Sequence, residues 1–209
     1  MFNHIHEVAL LKDERVYADE VENPITARRR LFQVERSSPI FVEIEQLFAQ
    51  SWNRLEKYRP QVQFIFEVQW PEYALRPYFA YRAKVQASTH AKDQRGNEKF
   101  LFHGTNRACL LGESSSTVLL CGDKQCSLCS ILRTSLAVSK CGTKNAFKRY
   151  GNGIYLTSCS SKADEYVSNL SRSASLRVML INRAVIGNAY KTHRNAPQIA
   201  PLSQEYNSV

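Results

Sequence analysis

Phe100-Leu101-Phe102-His103-Gly104-Thr105 opens the stretch that decides the fold, and two further pieces close it: Gly151-Asn152-Gly153-Ile154-Tyr155-Leu156-Thr157-Ser158, then Ser161-Lys162-Ala163-Asp164-Glu165-Tyr166. An apolar run ending in His-Gly reads as a buried strand that brings an imidazole and bare backbone to an open edge, because glycine lets a flat group approach the main chain. The second piece repeats that logic. Gly151 and Gly153 permit a tight turn into a short strand, Ile154-Tyr155-Leu156. Ser160 or Ser161 then serves as the N-cap of a helix, and Ser161 with Asp164 spells a capping box. Ala163, Tyr166, Val167 and Leu170 fall on one face of that helix. Taken alone, such a histidine is more often a satisfied core residue than a ligand, and such a tyrosine more often packs than stacks.

The 209 residues, 44% apolar, suffice for one domain with a sizeable core. No apolar run reaches the roughly 18 residues of a membrane span, and Met1-Phe2-Asn3-His4-Ile5-His6 is not a basic-then-apolar leader. A soluble protein of the nucleus or cytoplasm is expected. The net charge of +9 favours anionic partners such as nucleotides, nucleic acid or acidic proteins. A solvated basic surface explains it equally, since the excess is spread along the chain and only Arg28-Arg29-Arg30 forms a cluster.

Residues 1–37 show no clean periodicity and read as an extension, with Leu31-Phe32-Gln33-Val34 as a short strand. Ser38-Pro39 then supplies an N-cap and N1 pair, and Ile40, Ile44, Leu47, Phe48, Trp52 and Leu55 predict an amphipathic helix over about 39–57. Val62, Phe64, Phe66, Val68 and Trp70 alternate as a half-buried strand does. A second helix is expected after Pro77, which can start a helix but not sit inside one. Leu176-Arg177-Val178-Met179-Leu180-Ile181 reads as a strand, and 183–190 as another element turning at Gly187-Asn188. The tail, with Pro197 and Pro201, reads as loop.

The His103-Gly104-Thr105 strand, the Gly-x-Gly-Ile-Tyr strand at 151–155 and the Ser-Lys-x-x-x-Tyr helix start at 161–166, in that order, resemble the catalytic domain of the poly(ADP-ribose) polymerase family, the diphtheria-toxin-like ADP-ribosyltransferases. The resemblance extends over roughly 38–209, including Tyr78-x-x-Tyr81-Arg82. It implies an α+β fold of split antiparallel sheets with outer helices. It also implies cleavage of the nicotinamide-ribose bond of NAD and transfer of ADP-ribose to a protein or nucleic-acid acceptor, with no membrane partner. By the same resemblance Gly104 would bind the carboxamide through its backbone, Tyr155 and Tyr166 would sandwich the nicotinamide, and His103, with Thr105 beside it, would bond the adenosine ribose. Catalysis would rest on His103 and Tyr155.

Two departures qualify that implication. Ala163 stands where the polymerases carry a serine that also bonds the carboxamide. The family's third catalytic residue sits on a strand after the donor loop, and none is legible before Val209, since Glu205 lies in loop. The domain is therefore expected to be incomplete at its C-terminus, with its last strands missing. Mono- rather than poly-ADP-ribosylation is expected, and the alternative is an inactive NAD- or ADP-ribose-binding module. The related RNA 2'-phosphotransferases need an Arg and His arrangement that cannot be located here.

Between the motifs lie Cys109, Cys121, Cys126 and Cys129, spaced C-x11-C-x4-C-x2-C. In an intracellular protein this spacing suggests a structural, tetrahedral zinc site, with buried small apolar thiols as the alternative. Cys126-Ser127-Leu128-Cys129 followed by Ile131-Leu132-Arg133 resembles a diverged, cysteine-containing subgroup of the family.

Overall fold

The computed structural model describes residues 5–7, 31–88, 94–142, 148–197 and 205–209. Arg28-Arg29-Arg30 and most of the N-terminal stretch lie outside the described residues. In chain order the elements are β1 (Ile5–Glu7), β2 (Leu31–Gln33), α1 (Pro39–Gln50), β3 (Phe66–Val68), α2 (Glu72–Ser88), β4 (Glu98–Gly104), β5 (Asn106–Arg107), α3 (Ser127–Thr134), α4 (Ser160–Asp164), β6 (Ser168–Asn169) and β7 (Met179–Val185). The architecture is α+β. Its main sheet is antiparallel in the order β1-β7-β4, with β4 in register from Glu98 opposite Val185 to Gly104 opposite Met179. β2 and β3 form a second antiparallel pair, and β5 and β6 a short parallel one. No described helix is long and apolar enough to cross a membrane.

Within the stretch read as an extension, Leu31 is buried and packs in the core beside Val68, its partner across the β2–β3 ladder. The same core takes in Leu128 and Leu132 from α3 and Leu180 from β7. A cavity of about 350 Å³ remains in it, lined by Phe48, Phe64, Phe102, Leu132 and Ile181 among others.

Several elements differ from their sequence reading, each for a tertiary reason. α1 starts as expected, with Pro39 in its first turn and Phe41 and Ile44 buried, but it stops at Gln50 rather than near 57. The Phe48 carbonyl in its last turn and the Ser51 carbonyl just past its end are claimed from outside the helix. The Ser160 hydroxyl donates to Phe48 at 2.8 Å and the Ser160 amide to Ser51 at 3.1 Å. Leu55 consequently lies off the helix and is 98% exposed. β3 keeps only three residues of the alternating run because its ladder partner β2 is three residues long. Upstream, the chain is held instead by Arg36 on the Val62 and Gln63 carbonyls.

Pro77 sits inside α2, contrary to the expectation that it starts the helix. The hydrogen bond that proline removes is outweighed by burial of Leu75, Tyr78 and Val85 on one side, and by the Tyr78 hydroxyl on the Glu98 carboxylate. The two strand elements expected over 176–190 are one strand, β7, which ends before the left-handed Gly187.

A buried ion pair ties these pieces together. Arg107 is 1% exposed; its guanidinium meets Asn169, the Leu111 and Leu176 carbonyls and the Glu113 carboxylate. Burial alone would raise the Glu113 pKa, but the Ser175 hydroxyl and amide, Arg107 and the Leu176 amide together hold it down at about 2. With the folded value below the ordinary 4.5, this carboxylate stabilises the fold fully above pH 4.5 and loses that contribution as pH falls toward 2. Chemical denaturation between pH 5 and 2 should show that loss, and Glu113→Gln should remove most of this slope. Removing one partner of a buried pair costs about 3–5 kcal/mol, so Arg107→Ala should lower the unfolding free energy by about that amount.

Candidate functional site

The site begins on β4. Side chains alternate along a strand, so Phe102 and His103 face opposite ways. Phe102 is buried in the core, while His103 points to the other face. Phe102 exchanges both backbone hydrogen bonds with Thr157, at 2.7 and 3.1 Å, in an isolated antiparallel bridge. Its amide and carbonyl therefore point away from β7, and Gly104, two residues on, has the same orientation. One residue pair beyond the bridge the ladder is no longer continued, and the Tyr155 segment parts from the end of β4. The expected strand at 154–156 is reduced to this single bridge at Thr157.

His103 spans the gap. Its Nδ1 lies 3.0 Å from the Tyr155 carbonyl oxygen. A carbonyl only accepts, so Nδ1 carries the proton, and in the neutral ring Nε2 is left as an acceptor. Burial lowers the His103 pKa below its ordinary value, opposed in part by the bond to Tyr155, and favours that neutral form. Tyr155 is 40% exposed and fixed at its far end, its hydroxyl donating to the Gly151 carbonyl at 2.7 Å and accepting from the Tyr150 amide at 3.0 Å.

On the other side of Gly104 stands α4. A Cβ built on Gly104 would collide with the Ala163 carbonyl oxygen and lie 3.1 Å from the Tyr166 Cβ, so only glycine allows β4 to meet this helix end. Tyr166, just past α4, is 52% exposed, with the Lys162 ammonium 5.6 Å from its ring centre. The expected helical face over 163–170 is not formed. Arg177 takes the Asp164 carboxylate at 2.8 Å and the Asp164 carbonyl at 2.6 Å, and the chain turns into β6, where the Leu170 amide bonds the Arg107 carbonyl. Ala163 and Val167 are buried, whereas Leu170 is exposed.

The expected capping box is also absent. The Ser161 hydroxyl accepts the Asn53 amide at 3.2 Å, and Ser160 is engaged with α1, so both serines bolt α4 to the end of α1. Arg54 reinforces this joint through Glu165, which also pairs with Lys162. These partners escaped the sequence reading because the contact joins residues more than a hundred positions apart. Thr105 lies just past the end of β4, its carbonyl accepting the Ser168 amide at 3.3 Å. Glu205 lies in a turn, its carbonyl accepting from Asn188 at 3.0 Å.

The structure thus brings His103, Gly104, Tyr155 and Tyr166 around one divergence in the backbone. It also brings Cys109, Cys121, Cys126 and Cys129 together, their sulfurs all within 4.8 Å of one another, with Cys126 and Cys129 buried. Cys141 and Cys159 stand apart from that group, the first accepting the Gly153 amide and the second beside Ser161. The described cavity lies on the Phe102 face of β4, not at His103.

No curated protein matches the chain. The family model of the poly(ADP-ribose) polymerase catalytic domain matches residues 107–209. This range contains Tyr155, Tyr166 and the six cysteines; His103, Gly104 and Thr105 fall just ahead of it. Over residues 107–209 the chain is similar to the poly(ADP-ribose) polymerase catalytic domain, a family whose chemistry is NAD-dependent ADP-ribosyl transfer.

Proposed function

We propose that this protein is an NAD-dependent transferase that moves a single ADP-ribose unit to an acceptor. The observation that carries this reading is the backbone of Gly104, whose amide and carbonyl are turned away from β7 into the gap where the Tyr155 segment leaves β4. A primary carboxamide offers one acceptor and one donor in a plane, which suits that pair. Tyr155 and Tyr166 would hold the nicotinamide ring, a cation while it is attached to ribose and so attracted to aromatic faces. The His103 Nε2 lone pair would accept a hydroxyl of the adenosine ribose.

In the reaction the bond from the ribose C1' to the nicotinamide nitrogen breaks, and its electron pair leaves with nicotinamide as a neutral ring. The acceptor's nucleophile bonds C1' and gives up its proton. Positive charge gathers on the ribose at the transition state, so holding both nicotinamide and ribose in place supplies most of what this chain can contribute. Transfer of one unit is in keeping with Asp164 and Glu165, the carboxylates beside Tyr166, both being engaged in ion pairs. The acceptor is a protein or nucleic acid, in keeping with the charge of +9, and the setting is intracellular, in nucleus or cytoplasm. The cysteine cluster takes no part in the transfer; its role is structural.

Ala163 favours a second reading, a module that binds NAD or ADP-ribose without turning it over. A missing hydroxyl removes one ligand bond worth about 0.5–1.5 kcal/mol. Calorimetry with NAD and a nicotinamide-release assay on the same sample separate the two. Binding with release sustains the transferase, and binding without release sustains the module. Absence of binding by folded protein would remove both.

Tyr166→Ala should weaken NAD binding by about fivefold or more, from loss of ring stacking, while Tyr166→Phe should leave it nearly unchanged. Equal losses would assign the role to the hydroxyl. Because the His103 pKa is lowered, NAD affinity should stay level as pH falls through the ordinary imidazole value of 6.5 and decline only below it. A titration of affinity between pH 8 and 5 checks this, with His103→Ala expected to be weak at every pH.

A further inference from the structure

We propose that Cys109, Cys121, Cys126 and Cys129 bind one zinc ion as a tetrahedral four-thiolate site, and that this ion holds the end of the nucleotide-binding strand in place. A zinc–sulfur bond of about 2.3 Å puts the sulfurs of a tetrahedron about 3.8 Å apart. Cys109 lies 3.8 Å from Cys126 and 3.6 Å from Cys129, sulfur to sulfur, and all four sulfurs fit within 4.8 Å. Thiols in an apolar core have no reason to converge four at a time. A disulfide would join two of them at about 2.05 Å and leave the others stranded.

A second observation is independent of that spacing. Backbone amides are aimed at the sulfurs: Leu111 at Cys109, Ala108 and Cys129 at Cys126, and Cys121 at Cys129, the last at 3.4 Å. Amide donors stabilise sulfur that carries negative charge, as a metal-bound thiolate does, and such outer contacts orient metal ligands. Borderline-soft zinc with four thiolates leaves no open position, so the ion serves the fold rather than the reaction.

Its mechanical role follows from the connections. Cys109 comes two residues after β5, and β5 follows directly on the Gly104 end of β4. The Asn106 side chain donates to the Gln125 carbonyl at 2.7 Å, beside Cys126, and Arg133 of α3 donates to the Cys121 carbonyl. Among these contacts, the ion would fasten residues 121–129 to 106–109. The strand end that carries Gly104 is thereby anchored. Only the significance of that anchoring for NAD rests on the transferase reading; the site itself does not.

The test is elemental analysis of the full 209-residue chain, purified without added metal, followed by exchange of the bound ion for cobalt(II). One zinc per chain and the ligand-field and thiolate charge-transfer bands of tetrahedral cobalt are the expected results. Cys109→Ser should lower the zinc content, and Cys141→Ser and Cys159→Ser should each keep one zinc per chain. Should Cys109→Ser fail to fold, the two control variants and the wild-type cobalt spectrum still decide. Hydrogen exchange should rise over 104–109 and 121–129 when a chelator strips the ion. Folded wild-type protein without zinc, iron in its place, cobalt bands lacking thiolate character, or zinc lost from Cys141→Ser would overturn the site. Unchanged exchange after stripping would overturn the anchoring. None of these readouts uses NAD, so failure of the transferase reading would show separately as absent NAD binding by zinc-loaded protein.

Discussion

A guanidinium taken out of water must find partners for its donors, and Arg107 finds them on three different stretches of chain. Glu113 supplies the countercharge and is in turn bonded by the amides of Ser175 and Leu176. This fixes the loop after β5, the β6 pair and the approach to β7 in one arrangement. Everything on the His103 side depends on it, because β5 continues from the Gly104 end of β4 and β6 continues from Tyr166. A lysine in this place would have a single point charge and no planar fork with which to join so many segments.

Given that frame, the site arises from a strand pairing that stops. Phe102 and Thr157 form a complete hydrogen-bonded pair, yet the next residues do not continue it. What a longer ladder would have bonded is instead presented by Gly104 to whatever enters the gap. His103 spans the gap by reaching the Tyr155 carbonyl, and burial favours its neutral form. Gly104 has a second duty, since no larger residue would let α4 come so close. Packing thus demands glycine at this position.

The helix ends carry the rest of the positioning. Ser160 and Ser161 have the look of residues that cap their own helix, but they close the end of α1. With Arg54 on Glu165, α1 and α4 become one unit, and Tyr166 stands on it. The four cysteines gather on the other side, close after β5.

Much of this was legible in the residues themselves. The apolar run into His103-Gly104, the turn glycines before Tyr155 and the spacing from Ser161 to Tyr166 mark the site, because each depends on local chemistry that a residue type carries with it. The cysteine spacing likewise announced a candidate metal-binding group, although only the fold could show that Cys109 and Cys121 reach the tight Cys126 and Cys129 pair.

Tertiary structure decided what periodicity could not. Pro77 lies within α2 because burial of Tyr78 and Val85 outweighs one lost hydrogen bond. α1 ends early because the distant Ser160 takes the Phe48 carbonyl in its last turn, and the helix after Ser161 is cut short because Arg177 takes Asp164. A sequence carries its own turns, caps and faces, since these depend on neighbours a few residues away. Where a strand pairing stops, and which buried charge finds a partner, depends on residues far apart in the chain, and those contacts exist only once it has folded.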